Sequence, residues 1–286
     1  MGISSSRYPD LWGFFLFSHG WTWVFWSVIV VAGWDPFATP GVVFLVLGGI
    51  GPMLGGSIMS GIVGGRRELR DLRQRIFDPR LVPIRWWLVV FGFFPAVTAL
   101  AALVAGQLEL TAQALDFSEA RVVFASPTAL FVTAGFILIL GPVPEEIGWR
   151  GFLLDRLQLR WSALTASLLV GIAWLTWHAP LFVMAGYYAA VGGTPDLFLF
   201  VTGIVVTSVL YTWIHNNAGR SVLAAIMFHF MQNFVGQVFG PAPETRLIQA
   251  MLFIIAAGVV LLIWGPRHLR RKNTRPQPVT GLSQRE

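Results

Sequence analysis

The chain has 286 residues, 55% of them hydrophobic, 14% aromatic and only 12% charged, with a net charge of +6 and no cysteine. Its mean hydropathy of +0.67 lies outside the usage of soluble domains and makes it a polytopic membrane protein. The lack of cysteine excludes a disulfide framework, a thiolate metal site and a cysteine nucleophile. Catalysis is left to carboxylates, histidines, hydroxyls or a metal held by N and O ligands.

Apolar runs long enough to cross a bilayer, about 20 residues each, lie near 11–33, 41–63, 86–106, 125–145, 163–183, 198–215, 221–239 and 247–265. They predict an all-α transmembrane bundle of about eight spans. Ahead of the first span, Met1 to Ser6 fits the N-myristoylation pattern, which small N-terminal residues match by chance. That span is longer than a signal-peptide apolar region and is expected to be retained, with its His19 hydrogen-bonded inside the bundle. Span two is crowded with glycines (Gly48, Gly49, Gly51, Gly55, Gly56, Gly61, Gly64, Gly65), as where helices approach closely.

Basic residues orient the chain. Arg66, Arg67, Arg70, Arg73, Arg75, Arg80 and Arg85 follow span two, in a segment expected to be a solvated, partly helical connector. Arg150, Arg156 and Arg160 are assigned to the loop after span four, Arg220 to the turn after span six, and Arg267, Arg270, Arg271, Lys272, Arg275 and Arg285 to the tail. The connections of opposite parity hold Arg121 and Arg246 beside Asp35, Glu109, Asp116, Glu119, Asp196 and Glu244. The positive-inside rule then predicts a multi-pass protein of the plasma (inner) membrane, with both termini cytoplasmic and an even number of spans. The lipid bilayer is one expected partner. Nucleic acid is not, because the basic residues are not interleaved with aromatics. Trp12, Trp34, Trp86, Trp87 and Trp264 near span ends read as headgroup anchors, and His215-Asn216-Asn217 reads as turn chemistry.

Span four ends in Glu145-Glu146-Ile147-Gly148-Trp149-Arg150. Ionisable groups at membrane depth are by default functional candidates, being costly unless paired or facing water. On a helix Glu146 and Arg150 stand at i,i+4 and pair as supporting residues, which turns Glu145 about 100° away and leaves it free. Pro142 and Pro144 just before it predict a break or kink in the helix, tolerated at membrane depth where a water-filled cavity satisfies the backbone. His178 in span five, and His229 with Asn233 at i,i+4 in span seven, complete the polar set. Peptide hydrolysis needs a base for water, an acid for the leaving amine and donors for the oxyanion, and Glu, His, His and Asn supply them. A proton-coupled transporter would also bury such groups, though commonly in two related halves, and here they sit in one. A catalytically silent immunity or scaffold protein fits the same motifs.

Three of these motifs, in this order, resemble the CPBP (CAAX protease and bacteriocin-processing) intramembrane proteases, which include the eukaryotic CAAX prenyl endopeptidases and bacterial Abi-like proteins. Glu-Glu-x-x-x-Arg is matched by Glu145, Glu146 and Arg150. An aromatic followed four positions later by His is matched by Trp174 and His178, with Trp where Phe is commoner. His-x-x-x-Asn is matched by His229 and Asn233. The resemblance divides the chain into N-terminal spans with the arginine-rich segment (1–119), a catalytic core (120–240), and a last span with basic tail (241–286). It implies an endopeptidase with a cavity open to water, acting on a peptide or membrane-protein segment, prenylated tails among them. Glu145 and His178 would hold and activate water, His229 and Asn233 would stabilise the oxyanion, and Glu146 and Arg150 would support them. No cofactor is favoured. The alternative is zinc on Glu145, His178 and His229, although the chain has no His-Glu-x-x-His run and Asn is a poor zinc ligand.

Overall fold

A computed structural model describes residues 9–191 and 193–271. Eight apolar helices make up the bundle: α1 Pro9–Ala32, α2 Gly41–Phe77, α3 Ile84–Gln107, α4 Pro127–Gln158, α5 Ala163–Val183, α6 Leu197–Asn217, α7 Val222–Val238 and α8 Pro243–Trp264. Their starts are written in the sequence. Side-chain oxygens of Ser126, Ser162, Asp196 and Ser221 cap the first turns of α4, α5, α6 and α7, accepting from the backbone N–H three residues on. No strand occurs among the described residues, where the chain's one bridge pairs Leu115 with Pro241.

Seven of the eight helices are long and apolar enough to span a bilayer, and the protein is a multi-pass membrane protein. The exception is α7, whose 17 residues reach only about 25 Å. Protein surrounds it in place of lipid: Val222, Ala224, Ala225 and Phe228 are fully buried. The Phe228 ring packs against Phe94 of α3 at 4.6 Å and Tyr211 of α6 at 5.1 Å. A helix so enclosed is freed from matching the hydrocarbon thickness.

Several expectations are corrected. The arginine-rich segment is no simple solvated connector. It continues α2 past a bend at Gly65 (φ 59°, ψ −151°) as an amphipathic arm. Arg66, Arg67, Arg70 and Arg73 are exposed, whereas Glu68, Leu72 and Arg75 are buried against α4. Arg150 and Arg156 are not in a loop either, because α4 runs on to Gln158 and encloses both. Arg156 pairs with Glu68 and lies over the Phe152 ring at 4.8 Å. His215, Asn216 and Asn217 are the last turn of α6, and the turn itself is made by Ala218, Gly219 and Arg220, the last two at φ 66° and 58°. Asn216 and Asn217 donate to the His268 and Leu269 carbonyls and so tie down the segment after α8. Trp86 is buried against Trp213 at 5.0 Å and is a core residue rather than a headgroup anchor. His19 does hydrogen-bond within the bundle, its Nε2 lying 3.0 Å from the Ala173 carbonyl. Met1 to Ser6, Lys272, Arg275 and Arg285 lie outside the described residues.

A buried ionic cluster closes one end of the bundle. Asp155 of α4 accepts from Arg75 Nη1 (3.1 Å) and Arg220 Nη2 (2.5 Å), with His215 Nε2 at 3.3 Å. Asp71 accepts from Arg75 Nε at 2.8 Å. Burial works against the charge on Arg220, but Asp155 and Asp71 outweigh it and hold this guanidinium above its ordinary range. The ends of α2, α4 and α6 and the start of α7 are thereby locked together.

Candidate active site

The first half of α4 stops at Leu140, where Gly141 leaves helical geometry (φ −124°, ψ −83°), and a new helical segment opens at Pro142. This is the break expected from Pro142 and Pro144: a proline is tolerated in a first turn, where its missing N–H would go unused. Glu145 falls in the first turn of the new segment, whose dipole favours a carboxylate there. The segment lies backbone to backbone against α2. A Cβ on Gly148 would come within 2.5 Å of the Pro52 carbonyl oxygen, and one on Gly56 within 2.7 Å of the Ile147 carbonyl oxygen.

Glu146 and Arg150 pair as their spacing predicts. Arg150 Nη1 lies 2.9 and 3.0 Å from the two Glu146 oxygens, and both side chains are fully buried. Arg150 Nε and Nη2 have no hydrogen-bond partner among the described residues, and the guanidinium instead lies over the rings of Tyr211 (4.3 Å) and Trp174 (5.4 Å). His229 donates from Nδ1 to Glu146 Oε1 at 3.0 Å. The ion pair thus orients a histidine, and it does so from behind: neither Glu146 nor Arg150 reaches the cavity.

Glu145 does reach it. Its Oε2 accepts from Trp174 Nε1 at 2.5 Å. An ideal Cβ on Gly141 would sit 3.6 Å from Glu145 Oε1 and 3.5 Å from Asn233 Nδ2, which places those two groups against the same stretch of backbone. His178 caps the first stretch of α5, Ala163–Trp177, and its Nδ1 lies 2.8 Å from the Trp174 carbonyl. A carbonyl only accepts, so Nδ1 carries the hydrogen, and in the neutral ring the Nε2 lone pair is left over. Glu145, His178, His229 and Asn233, drawn from α4, α5 and α7, line one cavity of about 880 Å³ whose remaining walls are mostly apolar. That volume and lining are of the kind that binds a ligand. All four candidates are brought together, with Glu146 and Arg150 behind them.

Three further residues, not among the expected site residues, belong to the site. Trp174 touches nearly every member of the site: it bonds Glu145, accepts from His178, and meets the His229 ring edge-on at 5.1 Å. Its place in the second motif was the available signal. Tyr211, which carries Arg150 on its face and donates to Gln232 at 2.7 Å, had none beyond being a hydroxyl within a span. Gln232, also on the cavity wall, sits beside Asn233 in sequence and looked like any polar residue. Among the described residues, no three His, Asp or Glu side chains converge to hold a metal ion. His178 and His229 each commit Nδ1 to a neighbour and keep Nε2, and Glu145 commits one oxygen to Trp174.

The model of the type II CAAX prenyl endopeptidase Rce1-like family matches residues 127–235, which runs from the first residue of α4 to beyond Asn233 and encloses every site residue above. CAAX prenyl protease 2 of Methanococcus maripaludis is 28% identical over 265 residues, covering 91% of this chain and 96% of that protein. The chain is similar to this family over residues 127–235 and to that archaeal protein over most of its length. The matched segment carries Glu145, His178, His229 and Asn233 of the cavity wall, whereas α2 and α8 supply further lining outside it. Its three motifs lie on α4, α5 and α7, distant in sequence and adjacent around Trp174.

Proposed function

We propose that this protein is an intramembrane glutamate endopeptidase, as its similarity to the Rce1-like family suggests. It hydrolyses a peptide bond in a peptide or membrane-associated protein, prenylated tails included, in a plasma membrane where both its termini are cytoplasmic. The observation that carries the reading is the convergence of Glu145, His178, His229 and Asn233 on one mostly apolar cavity.

In this reaction Glu145 takes a proton from water as the water oxygen adds to the scissile carbonyl, while the His178 Nε2 lone pair orients the same water. The oxyanion is held by Asn233 Nδ2 and by His229. The C–N bond then breaks as Glu145 passes the proton to the leaving amine. Arg150 holds Glu146 in place, so that pair acts through His229. No step passes through a metal. In favour of this reading, Asn233 is a poor zinc ligand and a good oxyanion donor.

The deciding experiment compares purified wild type and Glu145→Gln in detergent on quenched peptides, prenylated and unprenylated, with and without a strong zinc chelator. Cleavage that persists under chelation and vanishes in Glu145→Gln is the expected result. Loss under chelation would replace this mechanism with a metal-dependent one, and no cleavage of any peptide by wild type would favour a silent binding protein.

A further inference from the structure

Four arginines of the α2 arm find no acid inside the protein. Arg66, Arg67, Arg70 and Arg73 are exposed, and among the described residues none of them stands within ion-pair distance of a carboxylate. The acids nearest in sequence are already taken: Glu68 pairs with Arg156, Asp71 with Arg75 at 2.8 Å and Asp78 with Arg80 at 2.9 Å. Internal pairing uses up the carboxylates of the arm and leaves its guanidiniums.

These groups share a face. At about 100° per residue, Arg66, Arg70, Arg73 and Phe77 fall within an arc of about 60°, opposite the stripe of Glu68, Leu72 and Arg75 that is buried against α4. Apolar side chains stand on and beside that arc: Phe77 is 73% exposed and Leu69 40%. An acidic soluble partner would match the arginines and have no need of the phenyl ring. The boundary between headgroups and acyl chains satisfies both, because guanidiniums reach phosphates while their stems and apolar neighbours stay in hydrocarbon.

Position along the span agrees. The apolar part of α2, residues 41–63, rises about 34 Å, slightly more than the hydrocarbon thickness of a bilayer. The arm therefore starts, at the Gly65 bend, at headgroup depth. Arg85, exposed in the first turn of α3 where the chain re-enters, adds a fifth guanidinium at the same boundary.

We propose that the outer face of the arm is a binding site for anionic phospholipids, with Arg66, Arg67, Arg70 and Arg73 on the headgroup phosphates and Leu69 and Phe77 against the upper acyl carbons. The site is separate from the cavity and independent of the peptidase reading.

The test titrates purified full-length protein in detergent with dioleoyl phosphatidylglycerol or dioleoyl phosphatidylcholine, counting bound lipid by native mass spectrometry at low and high ionic strength. Each arginine beside an anionic surface is worth about fivefold in affinity. The expected result is phosphatidylglycerol bound at least about tenfold more tightly, by a margin that shrinks as salt rises. Arg70→Gln/Arg73→Gln should weaken phosphatidylglycerol binding about ten- to thirty-fold and leave phosphatidylcholine unaffected. Arg121→Gln/Arg246→Gln, which removes the same charge from exposed positions elsewhere, should change neither. Equal affinity for the two lipids, a preference insensitive to salt, or equal losses in the two double variants overturns the proposal and leaves the face to solvent or to an acidic protein. Displacement of the lipid by excess glycerol 3-phosphate overturns it as well, since a free phosphate would then be the ligand. Should Arg70→Gln/Arg73→Gln fail to fold, Arg66→Gln/Arg67→Gln carries the same expectation.

Discussion

The indole N–H of Trp174 donates to Glu145 Oε2 at 2.5 Å, and the carbonyl of the same residue accepts from His178. One residue of α5 thus sets both groups proposed to handle the water. A hydrogen bond to a charged group contributes about 1.5–3 kcal/mol. Trp174→Phe keeps the backbone carbonyl and most of the ring packing and loses only the donor. Steady-state kinetics should show kcat reduced about ten- to a hundred-fold, with KM and the unfolding temperature little changed. Unaltered kcat would mean that the indole is packing alone.

Removing one partner of a buried ion pair strands the other, at about 3–5 kcal/mol. Glu146→Ala leaves Arg150 fully enclosed with three of its guanidinium nitrogens unpartnered, and should lower the yield and melting temperature of the protein in detergent. Glu146→Gln, which keeps the shape, should fold better and still lose activity because His229 is no longer held by an anion. If both variants cut peptides at the wild-type rate, the pair is no more than a helix staple.

Close approach of α2 and α4 can be tested at a single methyl group. Gly148→Ala drives a carbon to within 2.5 Å of the Pro52 carbonyl oxygen, whereas Gly49→Ala meets nothing within 4 Å. Overpacking of this kind costs about 1–3 kcal/mol, and replacing an unconstrained helical glycine gains up to about 1 kcal/mol. Thermal unfolding in detergent should therefore move in opposite directions for the two variants. A shared direction would contradict the packing described for Gly148.

The Tyr187 phenol, which lines the cavity outside the spanning helices, is pushed from its ordinary 10 up to about 12, chiefly by burial and further by the charge of Glu145. Between those two values the unfolded chain has lost this proton while the folded chain keeps it. The folded state is therefore disfavoured as pH rises, and the effect is absent below about pH 10. Melting temperatures measured from pH 9 to 11 should fall for wild type and fall less for Tyr187→Phe. Parallel curves would show that Tyr187 is exposed to solvent.

Much of this molecule was readable in advance, and the unread part has a common cause. The spans, the break at Gly141, the Glu146–Arg150 pair and the shared face of His229 and Asn233 follow from local rules: apolar run length, proline chemistry and i,i+4 geometry. What escaped was tertiary. Arg75 and Arg156 look like solvated loop charges until Asp155 and Glu68 are seen beside them, 80 and 88 residues away. Asn216 and Asn217 read as a turn because their tail partners at 268 and 269 have no local signature. The shortness of α7 is visible in sequence, but its meaning depends on the helices that enclose it.

In α4, residues Trp149–Leu153 form a π-helical turn directly after the Pro142–Gly148 segment. Such a turn closes on the fifth residue instead of the fourth, so it holds one residue more than an ordinary turn and releases a backbone carbonyl from the regular ladder. Arg75 Nη2 bonds the Gly151 carbonyl at 2.9 Å, at that place. The surplus residue rephases the helix, so that Glu146 can address His229 while Asp155, nine positions on, addresses Arg75 and Arg220. Excising a single residue from 149–153 would straighten the helix and leave one of these two appointments unkept, whichever end the rest of the bundle held in place.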